Sequence, residues 1–137
     1  MQIRNPEYAA RVHQIFAAAA FIRHLGIELI SIEPGVVRTA LSPRAEHLQQ
    51  DGYVHAGVVS TLADHTAGGA GASLIMADQG VLTSEFKIHF LRPARGRLEC
   101  IATVLKPGRA FSVIEAEVIG EGALVAKLIT TMAIVGS

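Results

Sequence analysis

Residues 57–76 form an apolar segment of helical length that carries features a stable helix usually avoids. Asp64 and His65 interrupt its middle, and glycines follow at positions 68, 69 and 71. A helix that is apolar on nearly every side must be enclosed by other elements. Because a carboxylate in such surroundings is costly unless it is paired, and because perturbed carboxylates cluster at functional sites, Asp64 is a candidate functional residue.

One face of this predicted helix is small and polar. The positions at steps of three and four that share the face of Asp64 are Gly57, Ser60, Thr61, Ala67, Gly68 and Gly71. We expect another backbone or a ligand to approach this face closely. His65 points about 100° away from Asp64, and the helix offers no second ligand at a step of three or four. We therefore expect no metal site and interpret His65 as a structural residue.

The rest of the chain predicts one more helix and several strands. Asn5 and Pro6 favour a helix start and Gly26 favours its end, so we predict an amphipathic helix over 6–24. Two β-type runs, 26–33 and 36–42, join at a Pro-Gly turn and precede a polar loop over 43–54. After Gly80 the chain alternates, which predicts a strand with one face formed by Leu82, Ser84, Phe86, Ile88 and Phe90 and the other by Thr83, Glu85, Lys87 and His89. Further strands are predicted over 97–105, 110–119 and 123–135.

This order predicts an α+β fold in a single domain over 1–137, with the N-terminal helix within 1–25 and the core in 26–137. Strands joined by short turns favour an antiparallel sheet, here of about six strands, which would wrap around the long helix. Such a sheet leaves edges and an uncovered face. We therefore expect the protein to form a homodimer.

Composition excludes several classes of function. Twelve basic and twelve acidic residues cancel, which argues against a nucleic-acid partner. The single cysteine, Cys100, excludes a disulfide framework and fits a reducing compartment. No apolar run reaches the roughly 18 residues of a membrane span. We expect a cytoplasmic protein that does not enter a membrane.

The start of the long helix offers donors for a negative charge. The first N–H groups of a helix lack internal partners and lie at the positive end of its dipole. His55, Ala56 and Gly57 would place such donors where they can hold the oxyanion of an acyl-transfer reaction. Asp64 lies about 10 Å further along the same helix, so a site shared between two subunits would unite both parts.

These residues resemble a known family. The run His55, Ala56, Gly57, Leu62, Asp64, Gly68 and Ala70 is similar to the H-G-G-x-x-x-x-L-x-D-x-x-x-G-x-A pattern of hotdog-fold acyl-CoA thioesterases. It resembles most the PaaI-like group within the 4-hydroxybenzoyl-CoA thioesterase superfamily. The stretches FKIHFLRPARGRL (86–98) and LKPGRAFSVIEAEV (105–118) are also similar to that group, and the order of elements matches over roughly residues 25–135.

The resemblance implies metal-independent hydrolysis of an acyl- or aryl-CoA thioester, with no cofactor beyond the coenzyme A of the substrate. It implies active sites at the interface of a homodimer, and dimers that often pair into a homotetramer. Asp64 would match the carboxylate that activates water or attacks the thioester, and the Ala56 N–H would match the oxyanion donor. His55 would support that turn or the carbonyl, Gln49 would orient water or substrate, and Thr83 would match a Ser/Thr assistant position. Two departures are Ala56 in place of the usual glycine and Gln49 in place of the commoner asparagine.

A basic cluster suits the phosphates of coenzyme A. Five of the twelve basic residues lie within the 18 residues from 92 to 109, namely Arg92, Arg95, Arg97, Lys106 and Arg109. Side chains near strand ends or turns can hold phosphates. We expect Arg95 and Arg109 to be the leading contacts and Tyr53, the N-terminal helix and Phe86 or Phe90 to form the acyl pocket.

Two other functions remain open. A hotdog hydratase would add water to an enoyl-CoA, but such enzymes typically carry a histidine five residues after the aspartate, where this chain has Gly69. A non-catalytic acyl-CoA-binding or sensor domain would be expected to lack the helix carboxylate, which is present here.

Overall fold

The computed structural model describes residues 1–136 and contains a six-stranded antiparallel sheet, a long helix and two short N-terminal helices. The elements in chain order are α1 (Tyr8–Ala18), α2 (Ala20–Leu25), β1 (Glu28–Glu33), β2 (Val36–Leu41), a 3-10 turn (Ala45–His47), α3 (Ala56–Ala72), β3 (Gln79–Phe90), β4 (Leu98–Lys106), β5 (Phe111–Gly120) and β6 (Ala123–Gly136). The strand order is β1-β2-β4-β5-β6-β3, with every neighbouring pair antiparallel. Within the described residues, no helix is both long and apolar enough to cross a bilayer.

The sheet wraps α3, as predicted. Leu62, Ala67 and Ala70 on the helix have no exposed surface, and neither do Ile114 and Leu128 on the sheet. Burying one large aliphatic side chain contributes about 1.5–3 kcal/mol, so this layer supplies the main apolar core. The hotdog arrangement expected from the resemblance is confirmed.

The predicted helix over 6–24 is wrong in one respect, because the chain breaks at Ala19. Ala19 has extended backbone angles (φ −78°, ψ 101°) and separates α1 from α2. The Arg23 guanidinium donates to the Ala17 carbonyl, which would otherwise lose its helical partner at the break. Asn5 accepts a hydrogen bond from the Glu7 N–H near the start, and Gly26 ends α2 in the left-handed conformation.

The long helix ends at Ala72, four residues before the predicted end at Met76. The Ser73 hydroxyl donates to the Ala70 carbonyl at 2.6 Å and accepts from the Gly35 N–H at 2.8 Å. This serine therefore closes the helix and ties it to the β1–β2 turn. Leu74 and Ile75 are buried although they lie beyond the helix, which is why the apolar pattern extended too far.

A bulge in β3 overturns the predicted alternation. Thr83 pairs with Met132 but Glu85 pairs with Thr131, so Ser84 is the extra residue. Directly opposed residues share a face, and Met132 is buried against α3. Thr83 therefore faces the helix together with Phe86, whereas Leu82 lies on the outer face.

The glycines of α3 have different roles. A Cβ atom on Gly69 would come within 2.9 Å of Phe16 in α1, and one on Gly71 would come within 2.9 Å of Ile114 in β5. A Cβ atom on Gly68 would meet nothing closer than Met132 at 3.9 Å. Two of these glycines thus allow close packing, and Gly68 leaves space.

This difference predicts opposite effects from two adjacent substitutions. Gly69→Ala must displace the buried Phe16 ring and should lower the free energy of unfolding by about 1–3 kcal/mol. Gly68→Ala meets no obstacle and should raise it by about 0.5–1 kcal/mol through helix propensity. Denaturant titration of both variants checks this, and destabilisation of equal size in both would contradict the packing described.

Candidate active site

Asp64 lies in the middle of α3 and is half-buried. The Thr83 hydroxyl donates a hydrogen bond of 2.7 Å to Asp64 Oδ1. Because the bulge at Ser84 turns Thr83 toward the helix, the two side chains meet although they lie 19 positions apart. The second carboxylate oxygen is left for water or substrate.

The small polar face predicted for α3 is only partly open. Ser60, Thr61 and Gly68 are half-buried like Asp64, and Gly57 is exposed. Ala67 and Gly71 are buried in the core, and Ile114 of β5 packs closely against Gly71, so the sheet covers this part of the face.

Two cavities flank Asp64. The first, of about 330 Å³, is mostly apolar and is lined by Ala19, Phe21, Ile22, Ser60, Thr61, His65 and Phe86 in addition to Asp64. The second, of about 280 Å³, lies between α1, α3 and the start of β3 and includes Arg11, Gly68 and Thr83. The predicted contribution of the N-terminal helix and Phe86 to an apolar pocket agrees with the first cavity.

Burial disfavours the charged forms of two other reactive side chains near α3, His65 and Cys100. Burial lowers the pKa of His65, an effect that the neighbouring Asp64 opposes, and its ring packs edge-on against Phe16 at 4.5 Å. Burial raises the pKa of the Cys100 thiol to about 12, against opposing hydrogen bonds with Thr66 and Thr39. Burial thus favours the neutral form of His65 and the protonated form of the Cys100 thiol.

Within the described residues, one backbone donor at the start of α3 has no partner. The His55 N–H bonds to the His47 carbonyl at 2.9 Å, and the Gly57 N–H bonds to His55 Nδ1 at 2.8 Å. The Ala56 N–H has no hydrogen-bond partner among residues 1–136. The expectation that three donors share this role is thus corrected to one, with the His55 imidazole acting as the helix cap.

Gln49 holds the loop before the helix. Its side-chain oxygen accepts hydrogen bonds from the N–H groups of Asp51 (2.6 Å) and Tyr53 (3.2 Å). Its side-chain amide NH₂ therefore remains as the group that can contact a ligand. Gln49, His55 and Ala56 line a third cavity of about 540 Å³, together with Tyr53, Phe90, Arg92 and Pro93.

The start of α3 at His55, Ala56 and Gly57, called the helix mouth below, and Asp64 open into different cavities of one chain. Ala56 lines the third cavity and Asp64 lines the other two. Eight residues of α3 separate them, which corresponds to about 12 Å along the axis. This separation agrees with the expected need for a second subunit.

The five basic residues do not form one cluster. Arg92, Arg95 and Arg97 precede β4, whereas Lys106 is its last residue and Arg109 follows it, so roughly 25–30 Å of strand separates the two groups. The Arg95 guanidinium donates to the Tyr53 hydroxyl at 3.0 Å and stacks on the ring at 4.7 Å. Arg92 donates to the Leu124 carbonyl at 2.7 Å.

Arg11 was not predicted as a site residue, yet it lines the second cavity beside Asp64. Its position four residues before Ile15, on the side of α1 that packs toward α3, was the available signal.

Comparisons with known proteins agree with this geometry. The family model described as "Thioesterase superfamily" matches residues 51–127, which include Asp64 and the helix mouth. A 1,4-dihydroxy-2-naphthoyl-CoA hydrolase from Listeria monocytogenes is 30% identical over 98 residues, covering 71% of this chain and 80% of that protein. The crystal structure of a thioesterase family protein from Silicibacter pomeroyi is 34% identical, has a TM-score of 0.91, and aligns over 95% of this chain and 99% of that chain.

A more distant structure supports the fold. The PaaI protein of the phenylacetic acid degradation operon of E. coli has a TM-score of 0.87 at 23% identity and covers 96% of this chain and 95% of that chain. The family match spans more than half of the sequence and contains the carboxylate and the helix mouth. The chain therefore belongs to the thioesterase superfamily and is a thioester hydrolase with the hotdog fold.

Proposed function

We propose that the protein hydrolyses an acyl- or aryl-CoA thioester to the free acid and coenzyme A, without a metal, at sites shared between the subunits of a homodimer. The observation that supports this most directly is the Asp64 carboxylate, held by Thr83 between two cavities. The family match over residues 51–127 supports the reaction class.

The dimer follows from the exposed edge of β3. This strand is 12 residues long, pairs with no strand except β6 among the described residues, and exposes Phe86 and Phe90. Long apolar edges without a proline favour pairing with another strand. Antiparallel pairing with β3 of a second copy would join the two sheets around a two-fold axis.

That axis also brings the two parts of the site together. Two helices related by a two-fold axis perpendicular to them run antiparallel, so the start of one lies beside the later part of the other. Ala56 of the partner subunit would then approach Asp64. The partner's N–H could then donate a hydrogen bond to the oxygen of a thioester carbonyl, while the Asp64 carboxylate acts at the carbon of the same carbonyl.

The chemistry requires few groups. Asp64 removes a proton from water, whose oxygen bonds to the thioester carbon, or its own oxygen bonds there to give an anhydride that water then cleaves. The carbonyl electron pair moves onto the oxygen beside the Ala56 N–H and returns as the C–S bond breaks. The thiolate leaves without strong acid assistance and takes up a proton. Both routes need the carboxylate ionised.

The same symmetry would reunite the basic residues. A two-fold axis reverses strand direction. Lys106 and Arg109 of the partner subunit would therefore lie at the same end of the joined sheet as Arg92 and Arg95. The third cavity, beside the helix mouth and bordered by Arg92, would take the coenzyme A arm. The phosphates would contact the guanidinium groups of these arginines and the ammonium group of Lys106, while Gln49 contacts the arm through its amide.

Asp64→Asn tests the reaction. The amide keeps the shape of the side chain and its acceptor for Thr83 but removes the base, so thiol release from an acyl-CoA panel should fall roughly 10²-fold or more. Melting temperature serves as the folding control. Equal turnover in both proteins would refute the role of Asp64, and tight acyl-CoA binding with no thiol release by the wild type would identify a binding domain instead.

Thr83→Val tests the orientation of the carboxylate. Valine has nearly the same volume but lacks the hydroxyl, so kcat should fall about 10-fold, as expected for loss of one hydrogen bond to a charged group. Ser84→Ala, which removes an exposed hydroxyl from the adjacent bulge residue, is the matched control. If both variants lose kcat to the same extent, Thr83 has no specific role.

Ala56→Pro tests the shared site. Proline suits the first position of a helix, and the extended backbone of His55 (φ −58°, ψ 139°) tolerates it, but it removes the N–H. The variant should fold normally and lose roughly 10²–10³ in kcat.

Mixing this variant with Asp64→Asn distinguishes shared from separate sites. A mixed dimer contains one site with both an intact Asp64 and an intact Ala56 N–H. Refolding an equimolar mixture should therefore restore about a quarter of wild-type activity, since half of the dimers are mixed and each has one working site. Failure to exceed the summed activities of the two variants would show that each site lies within one chain.

A further inference from the structure

Arg11 lines the proposed site, and not all of its hydrogen-bond donors have a partner among the described residues. Its side chain crosses from α1 to the start of β3, where one terminal nitrogen donates to the Gln79 carbonyl at 3.4 Å. Its Nε atom is buried and has no hydrogen-bond partner within residues 1–136. A long hydrogen bond and an unsatisfied Nε leave this cation poorly compensated, so an anion in the second cavity, which Arg11 lines, would stabilise it.

Arg11 and Asp64 do not neutralise each other. The ion pairs that join Arg44, Arg97 and Lys127 to nearby glutamates involve neither of these two residues. Asp64 lines the same cavity but lies beyond ion-pairing distance of Arg11. The guanidinium and the carboxylate therefore face a common space without neutralising each other.

The space between them is shaped for a chain of methylene groups. Its remaining walls are mainly apolar or small and are formed by Ile15, Gly68, Gly80, Val81 and Met132. Gly68 leaves this space open, because a Cβ atom there would have only distant neighbours. An acyl chain lying on these walls would begin at Asp64 and end at Arg11.

We propose that Arg11 is a specificity-determining residue that binds a carboxylate at the far end of the acyl group, so that the preferred substrates are CoA thioesters of dicarboxylic acids. This inference rests on the proposed thioesterase function. A guanidinium recognises a carboxylate through paired N–H donors, and a plain alkyl chain would leave those donors unsatisfied.

The position of Asp64 adds a constraint on length. A second carboxylate close to the thioester would be repelled by the ionised Asp64, whereas one at the Arg11 end would be attracted. Dicarboxylic acyl groups with a spacer long enough to separate the two ends should therefore be preferred over malonyl-CoA.

The test compares adipoyl-CoA with hexanoyl-CoA, which share a carbon chain and differ in the terminal carboxylate. A second pair, 4-carboxybenzoyl-CoA and 4-methylbenzoyl-CoA, covers aryl groups. Wild type should prefer the carboxylated member of at least one pair in kcat/KM. Arg11→Met keeps an unbranched stem without the charge and should reduce this preference about 10–100-fold.

Further variants separate a specific contact from a loss of stability. Arg11→Lys keeps the charge but loses the planar fork, so its preference should lie between wild type and Arg11→Met. Arg4→Met makes the same substitution at an exposed arginine and should keep the wild-type preference. Because the readout is a ratio of two substrates on one protein, a partly unfolded variant does not imitate the effect.

The outcomes distinguish this proposal from the one on which it depends. If wild type hydrolyses the uncharged members as well as the carboxylated ones, or if Arg11→Met lowers both members of a pair equally, the role of Arg11 is refuted and the thioesterase function stands. If wild type releases no thiol from any member of the panel, both proposals are refuted.

Discussion

The enclosure of α3 by the curved sheet is the constraint on which the rest of the structure depends. The helix is built largely of alanine, glycine and other small residues, and its core-facing positions have no exposed surface. Small side chains allow sheet and helix backbones to approach closely, and the sheet supplies the larger side chains, such as Ile114 and Leu128. Every other element either completes this enclosure or lies along its one open face.

That open face determines where chemistry can occur. The sheet covers most of α3 and the N-terminal helices cover part of the remainder, so the polar side chains left accessible are few. Asp64 lies in this gap, and the free N–H of Ala56 lies at the end of the same helix. A rigid, enclosed helix therefore fixes both groups in position, but it also keeps them apart within one chain. The proposed dimer would bring the two groups together.

Much of the fold was predictable because its signals are local. Hydrophobic periodicity, the Pro34-Gly35 turn and the glycine-bordered turns identified every strand, and the burial cost of a charge identified Asp64. Features that depend on contacts between distant residues were not predictable. The break at Ala19, the helix end at Ser73 and the cap formed by His55 each rest on a hydrogen bond that periodicity does not encode. The division of the basic residues between two sheet ends also required the length of β4.

The bulge at Ser84 changes which residues of β3 face the helix. Before it, odd-numbered residues such as Val81 and Thr83 face the helix, and after it even-numbered residues such as Phe86 do so. Thr83, before the bulge, holds the Asp64 carboxylate, and Phe86, after the bulge, forms part of the wall of the apolar cavity. Losing one residue at this point would keep a strand of the same character and yet turn one of the two sets outward. The two roles of this strand therefore constrain its length between Thr83 and Phe86 more strictly than they constrain its composition.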